Sequence, residues 1–128
     1  MARTKTRNAQ TPWGYSDSAE IDAEGIVFYS TPSHGGYKLS PERMRQLRAK
    51  FPEYKLFAGE PWFEEDCDAA LVVLAFPEFY DRPHVFSAIQ FARRFMRNGW
   101  EYADVIRHID QDPTLGEIER EATQACPA

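Results

Sequence analysis

Apolar positions in this chain change their rhythm near residue 40. Before it, short runs of β-branched and aromatic residues are separated by turn formers; after it, apolar residues recur at three- and four-residue intervals. The first pattern is that of half-buried strands and the second that of helices with one buried face. Ala19 and Ile21 lead through the Ala23-Glu24-Gly25 turn into Gly25–Thr31, and Tyr37-Lys38-Leu39 follows. Pro32 lacks a ladder donor, and Ser33-His34-Gly35-Gly36 reads as the reversal, its two glycines supplying tolerance of positive φ. The expectation is a small antiparallel β-meander over about residues 12–39.

Ser40-Pro41-Glu42 is a helix start: a serine cap, proline at the first helical position and an acid in the first turn. Met44, Leu47 and Phe51 form its buried stripe, and Pro52 ends it. Residues 53–61 read as a connection with a short extended piece at Tyr54–Phe57. Ala69–Phe76 is apolar throughout, so periodicity cannot separate buried strand from buried helix. Three acids ahead of it, Glu64, Glu65 and Asp66, favour a helix over 64–76 with carboxylates at its positive end. A clear stripe follows at Val85, Ala88, Ile89, Ala92, Phe95 and Met96, with Arg93, Arg94 and Arg97 late in the helix and Asn98-Gly99 as the stop. Tyr102, Val105, Ile106 and Ile109 mark another helix; Asp112-Pro113 starts the last, with Leu115, Ile118 and Ala122 inward. The fold class is therefore α+β: a small sheet, then four or five helices, in one domain over residues 11–125. Residues 1–10, polar and carrying Arg3, Lys5 and Arg7, read as a flexible basic arm.

Composition narrows the function classes. The 128 residues carry a net charge of −5, all of it from the last 28 positions, and a pI near 5.2 disfavours general attraction to nucleic acid. The longest apolar run, Ala69–Pro77, is far short of a bilayer span, so no membrane role is expected. The basic, polar N-terminus has no apolar stretch behind it, and Cys67 and Cys126 read as reduced thiols; a cytoplasmic location follows.

Two segments could carry chemistry. His34 beside two glycines could act as a base or metal ligand, although a strand reversal accounts for the glycines. Trp62-Phe63-Glu64-Glu65-Asp66-Cys67-Asp68 offers carboxylates and a thiol, but its spacing matches no EF-hand loop and no H-E-x-x-H motif. Acids beside Cys67 would raise its pKa, against a reactive thiolate. His84 and His108 have no partner at ligand spacing and read as surface residues. Trp13, Tyr15, Trp62, Phe63, Phe79 and Tyr80 are core plugs or, if exposed together, interface anchors.

Thr11-Pro12-Trp13-Gly14, Gly25-Ile26-Val27, Ser33-His34-Gly35-Gly36 with Leu39, Trp62–Asp68 and Phe76-Pro77-Glu78 together resemble an uncharacterised family of small proteins from phages, plasmids and integrative elements. The resemblance covers about residues 11–80 and carries no established activity. Phe63 stands where that pattern has a tyrosine. A mobile-element setting implies a non-enzymatic factor that binds a host protein complex, as an anti-CRISPR or anti-restriction inhibitor would. Its expected binding residues are Trp13, His34, Trp62, Glu64, Glu65, Asp66 and Cys67, with no catalytic residue, metal or cofactor assigned. The alternatives are a metal-dependent or acid–base enzyme centred on His34 and Glu64–Cys67, and a nucleic-acid accessory protein using the basic arm and the Arg43–Lys50 helix. The distance between His34 and the Glu64–Cys67 segment discriminates the enzyme reading from the others.

Overall fold

In a computed structural model, which describes residues 3–56, 58–96 and 103–125, an N-terminal antiparallel sheet is followed by five helices. The strands are β1 (Thr4–Lys5), β2 (Gln10–Thr11), β3 (Gly14–Tyr15), β4 (Ser18–Ala23), β5 (Ile26–Ser30), β6 (Gly35–Leu39) and β7 (Trp62–Glu64). The helices are α1 (Pro41–Lys50), α2 (Ala69–Ala75), α3 (Arg82–Phe95), α4 (Ala103–Gln111) and α5 (Pro113–Ala125), with a 3-10 turn at Pro77–Phe79. The five-stranded sheet runs β1-β4-β5-β6-β7, and β2–β3 is a separate short hairpin. The α+β expectation holds, and the meander is β4-β5-β6.

Register sorts the side chains into two faces, because residues paired across strands point the same way. Glu20, Phe28, Tyr37 and Phe63 form an inner row, joined by Ile26 and Leu39. Tyr37, Phe63, Ile26 and Leu39 are buried against Leu47 and Phe51 of the α1 region, Leu71–Phe76, and Val85, Ile89 and Ala92 of α3. The opposite face carries two rows: Ala19, Tyr29, Gly36 and Glu64, then Ile21, Val27, Lys38 and Trp62. The apolar cluster lies on the inner side, so the outer face stays available to solvent and to the small hairpin.

The helix starts follow the expected chemistry. Ser40 Oγ accepts from the Arg43 N–H, Asp81 from His84 and Asp112 from Leu115, each satisfying an otherwise orphaned donor. Met44, Leu47 and Phe51 are buried as their spacing requires. Phe95 departs from the α3 stripe: it is 60% exposed and rests on Phe91 at 4.9 Å between ring centroids. Arg97, Asn98-Gly99, Tyr102 and Cys126 lie outside the described residues.

Three expectations are corrected. Residues 1–10 include β1, which pairs Thr4 with Ile21 and Lys5 with Glu20, and Arg3 Nε lies 2.6 Å from Asp22 Oδ1. Thr4–Lys5 is thus a sheet edge. The helix expected over 64–76 begins only at Ala69; Trp62–Glu64 is strand β7, and Glu65–Asp68 is a turn. A run apolar on every side suits a core helix, while the acids ahead of it serve the strand and turn. Tyr54 to Leu56 form no strand; Tyr54 is buried, and its hydroxyl donates to Asp68.

Candidate functional site

The T-P-W-G segment is a closed turn. Thr11 Oγ1 donates to the Gly14 carbonyl at 2.6 Å and accepts from the Trp13 N–H at 3.1 Å, while Gly14 takes φ +116°. This turn lays the Trp13 indole over Gly36 on the outer face. A Cβ at Gly36 would lie 2.5 Å from Trp13 Cη2 and 2.3 Å from the Phe63 carbonyl oxygen. The glycine pair is therefore needed for close approach inside β6. Neither Gly35 nor Gly36 has positive φ, and the reversal itself lies at Thr31–His34. There the Thr31 N–H donates to the His34 carbonyl at 2.8 Å, and Thr31 Oγ1 both donates to that carbonyl and accepts from the His34 N–H.

His34 Nδ1 lies 3.5 Å from Glu64 Oε1. Glu64 follows in the same row as Gly36, and the Cys67 N–H donates to the Glu64 carbonyl, turning the chain so that Asp66 returns to the same place. Donor atoms of His34, Glu64 and Asp66 all lie within 4.8 Å of one another. The Glu64 side chain is 12% exposed and that of His34 48%, so a sheltered carboxylate sits beneath an accessible imidazole. The strand reversal and the acidic segment, 30 residues apart in the chain, form one constellation.

Trp62 stands beside it. Its ring meets Trp13 edge-on at 5.8 Å, Tyr29 at 5.7 Å, and the Lys38 ammonium at 5.4 Å. Tyr15 on the hairpin is 63% exposed. The remaining expected residues separate from this group. Glu65 turns to the inner side, where it lines a cavity of about 320 Å³ with Arg3, Phe28, Tyr37, His84 and Ser87. Cys67 Sγ lies 3.7 Å from Asp68 Oδ1, and burial, with the nearby Asp68 carboxylate, pushes the thiol up to about 11. It is a protonated thiol at neutral pH. Phe63 is fully buried on the inner face, so a hydroxyl on that ring would point away from His34.

Sequence reasoning missed a buried polar cluster on the inner side of the sheet. Asp22, 6% exposed, is paired with Arg3 and accepts from the Tyr80 hydroxyl at 2.8 Å; Arg3 also donates to the Tyr37 hydroxyl at 3.3 Å. Burial raises the pKa of both phenols, Tyr80 far beyond its ordinary value. The signal available was an acid inside a strand pattern, but its partners lie 19 and 58 residues away. His108 is also less exposed than expected: its ring packs edge-on against Phe51 at 5.1 Å, and burial lowers its pKa. His84 is exposed, with its ring 5.0 Å from Tyr80.

The family described as a domain of unknown function (DUF7007) matches residues 6–125, and the chain belongs to it. No curated protein and no solved structure matches. Among the described residues, no helix is long and apolar enough to cross a membrane.

Proposed function

We propose that this chain is a binding domain whose working surface is the outer sheet face carrying Trp13, His34, Trp62, Glu64 and Asp66. The observation that supports this most is their convergence. Five of the seven binding residues expected from sequence gather on one face, away from the apolar core, while Glu65 and Cys67 turn elsewhere. Partly exposed aromatics beside charged groups are the composition that anchors protein partners. The resemblance to mobile-element proteins favours a host protein complex as the partner and an anti-defence inhibitor as the role. Immobilised protein should capture a stoichiometric partner, and Lys38→Glu with Tyr15→Ala, both at exposed positions, should abolish capture while a cooperative thermal melt is retained. Capture of no stoichiometric partner, or capture indifferent to those changes, would contradict the reading.

An enzyme reading finds narrower support. The His34–Glu64 approach sets an imidazole beside a carboxylate, as acid–base work requires, but a thiol raised to about 11 removes Cys67 as a nucleophile at neutral pH. A nucleic-acid role loses its expected footing: Arg3 is engaged with Asp22, and Arg43, Arg45 and Arg48 of α1 hold local partners.

A further inference from the structure

We propose that His34, Glu64 and Asp66 bind one divalent transition-metal ion. The inference rests on the outer-face reading above and gives that face a chemistry; it departs from the expectation that no metal is bound. Three features of the site support it.

The first is donor spacing. Around an ion held at about 2.0–2.2 Å, tetrahedral donors lie roughly 3.4 Å apart. The pair His34 Nδ1–Glu64 Oε1, at 3.5 Å, already has that separation. The third donor, on Asp66, lies within 4.8 Å of the others and belongs to an exposed side chain free to turn inward.

The second is unbalanced charge. Glu64 and Asp66 bring two carboxylates together, and among the described residues no lysine or arginine pairs with either. The Glu64 side chain is 12% exposed, and His34 is its described partner. A bound dication supplies that charge at the point where the three donors converge.

The third is backbone support. The Thr31–His34 turn fixes the His34 backbone on one side, and the β6–β7 ladder with the Glu65 N–H to Gly35 carbonyl bond fixes the Glu64 backbone on the other. The backbones that carry His34 and Glu64 are therefore placed before an ion arrives, which leaves only side-chain ordering to be met on binding. One imidazole nitrogen with two carboxylates suits zinc or manganese, whereas calcium takes six to eight oxygens. The exposed side leaves room for water or a partner's group as further ligands.

The test is calorimetric titration of zinc chloride, at neutral pH, into the full chain carrying Cys126→Ser. One equivalent should bind, calcium should give no comparable isotherm, and His34→Ala and Glu64→Gln should each weaken zinc by at least about tenfold. Cys67→Ser should leave affinity unchanged. Thermal melts of the metal-free proteins check that the variants remain folded, and Glu64→Gln keeps the side-chain shape where His34→Ala does not. Absence of saturable binding, binding indifferent to both substitutions, or binding lost with Cys67→Ser would overturn the proposal. Partner capture measured in parallel with a chelator keeps the two readings apart: capture that persists while zinc binding is absent overturns the metal site and leaves the interaction surface standing.

Discussion

Gly36→Ala should be among the most damaging single-methyl additions in this protein. The new Cβ would sit 2.3 Å from the Phe63 carbonyl oxygen, 2.5 Å from Trp13 Cη2 and 3.0 Å from Cζ3. The indole can swing away, but the carbonyl belongs to β7 and is held by pairing with β6. Relief requires roughly 1 Å of strand displacement, against an ordinary carbon–oxygen contact of about 3.4 Å. Overpacking of this kind costs about 1–3 kcal/mol, a weakened ladder bond about 1 more, and the lower unfolded-state entropy of alanine returns about 0.4–1. The net loss is about 1–3.5 kcal/mol, read as a lowered urea midpoint with unchanged slope. Gly59→Ala is the comparison: φ +84° strains the alanine by about 1–2 kcal/mol, yet no atom lies within 4 Å. Adding Trp13→Ala to Gly36→Ala should recover part of the loss and no more, because the Phe63 carbonyl remains. Glu64 pairs with Gly36, so the same displacement should also weaken zinc binding. A Gly36→Ala protein within about 0.5 kcal/mol of the parent, the range of neutral surface changes, would refute this account of the glycine pair.

Other predictions address the rest of the chain. Arg3→Ala should destabilise the protein by about 2–4 kcal/mol in urea unfolding, since Asp22 would be left buried without its cation; Asp22→Asn in the same background should restore part of the loss. Cys67 should resist iodoacetamide at pH 8 in the folded protein carrying Cys126→Ser and react readily once unfolded, because its thiol titrates near 11; fast native-state alkylation would count against the assigned environment. His108, lowered by burial, contributes stability that is present above the ordinary histidine value of 6.5 and lost as pH falls through the folded value. Melting temperatures should therefore drop on acidification from pH 7 to 5, and His108→Gln should flatten that part of the profile.

Elements with a local cause were legible in the sequence. Strands β4–β6 have their β-branched and aromatic residues, and α1, α3 and α5 have a cap residue and proline in the first turn. Elements defined by distant partners were not. β1 is two residues long and exists because β4 offers an edge, with Arg3 reaching Asp22 across 19 positions. β7 is a three-residue strand, and the acids that end and follow it look like a helix start until β6 is seen beside it. The same distinction governs the site. His34 and Glu64–Asp66 were recognisable as residue types capable of chemistry, but their approach depends on the β6–β7 register. That register also explains why Glu65 leaves the group: adjacent strand and turn residues point to opposite faces, one toward His34 and the next into the inner cavity. The glycine pair was noticed for the wrong property, since the crowding at Gly36 comes from the Phe63 carbonyl and the Trp13 indole, both distant in the chain.

The most direct measurement of the central claim is a map of amide signals broadened by substoichiometric Mn²⁺ in a ¹⁵N-labelled sample. Broadening should centre on His34, Gly35, Gly36 and Glu64–Asp66 and disappear with His34→Ala. Broadening centred on the acidic Glu117, Glu119 and Glu121 of α5, or spread evenly over the surface, would contradict it.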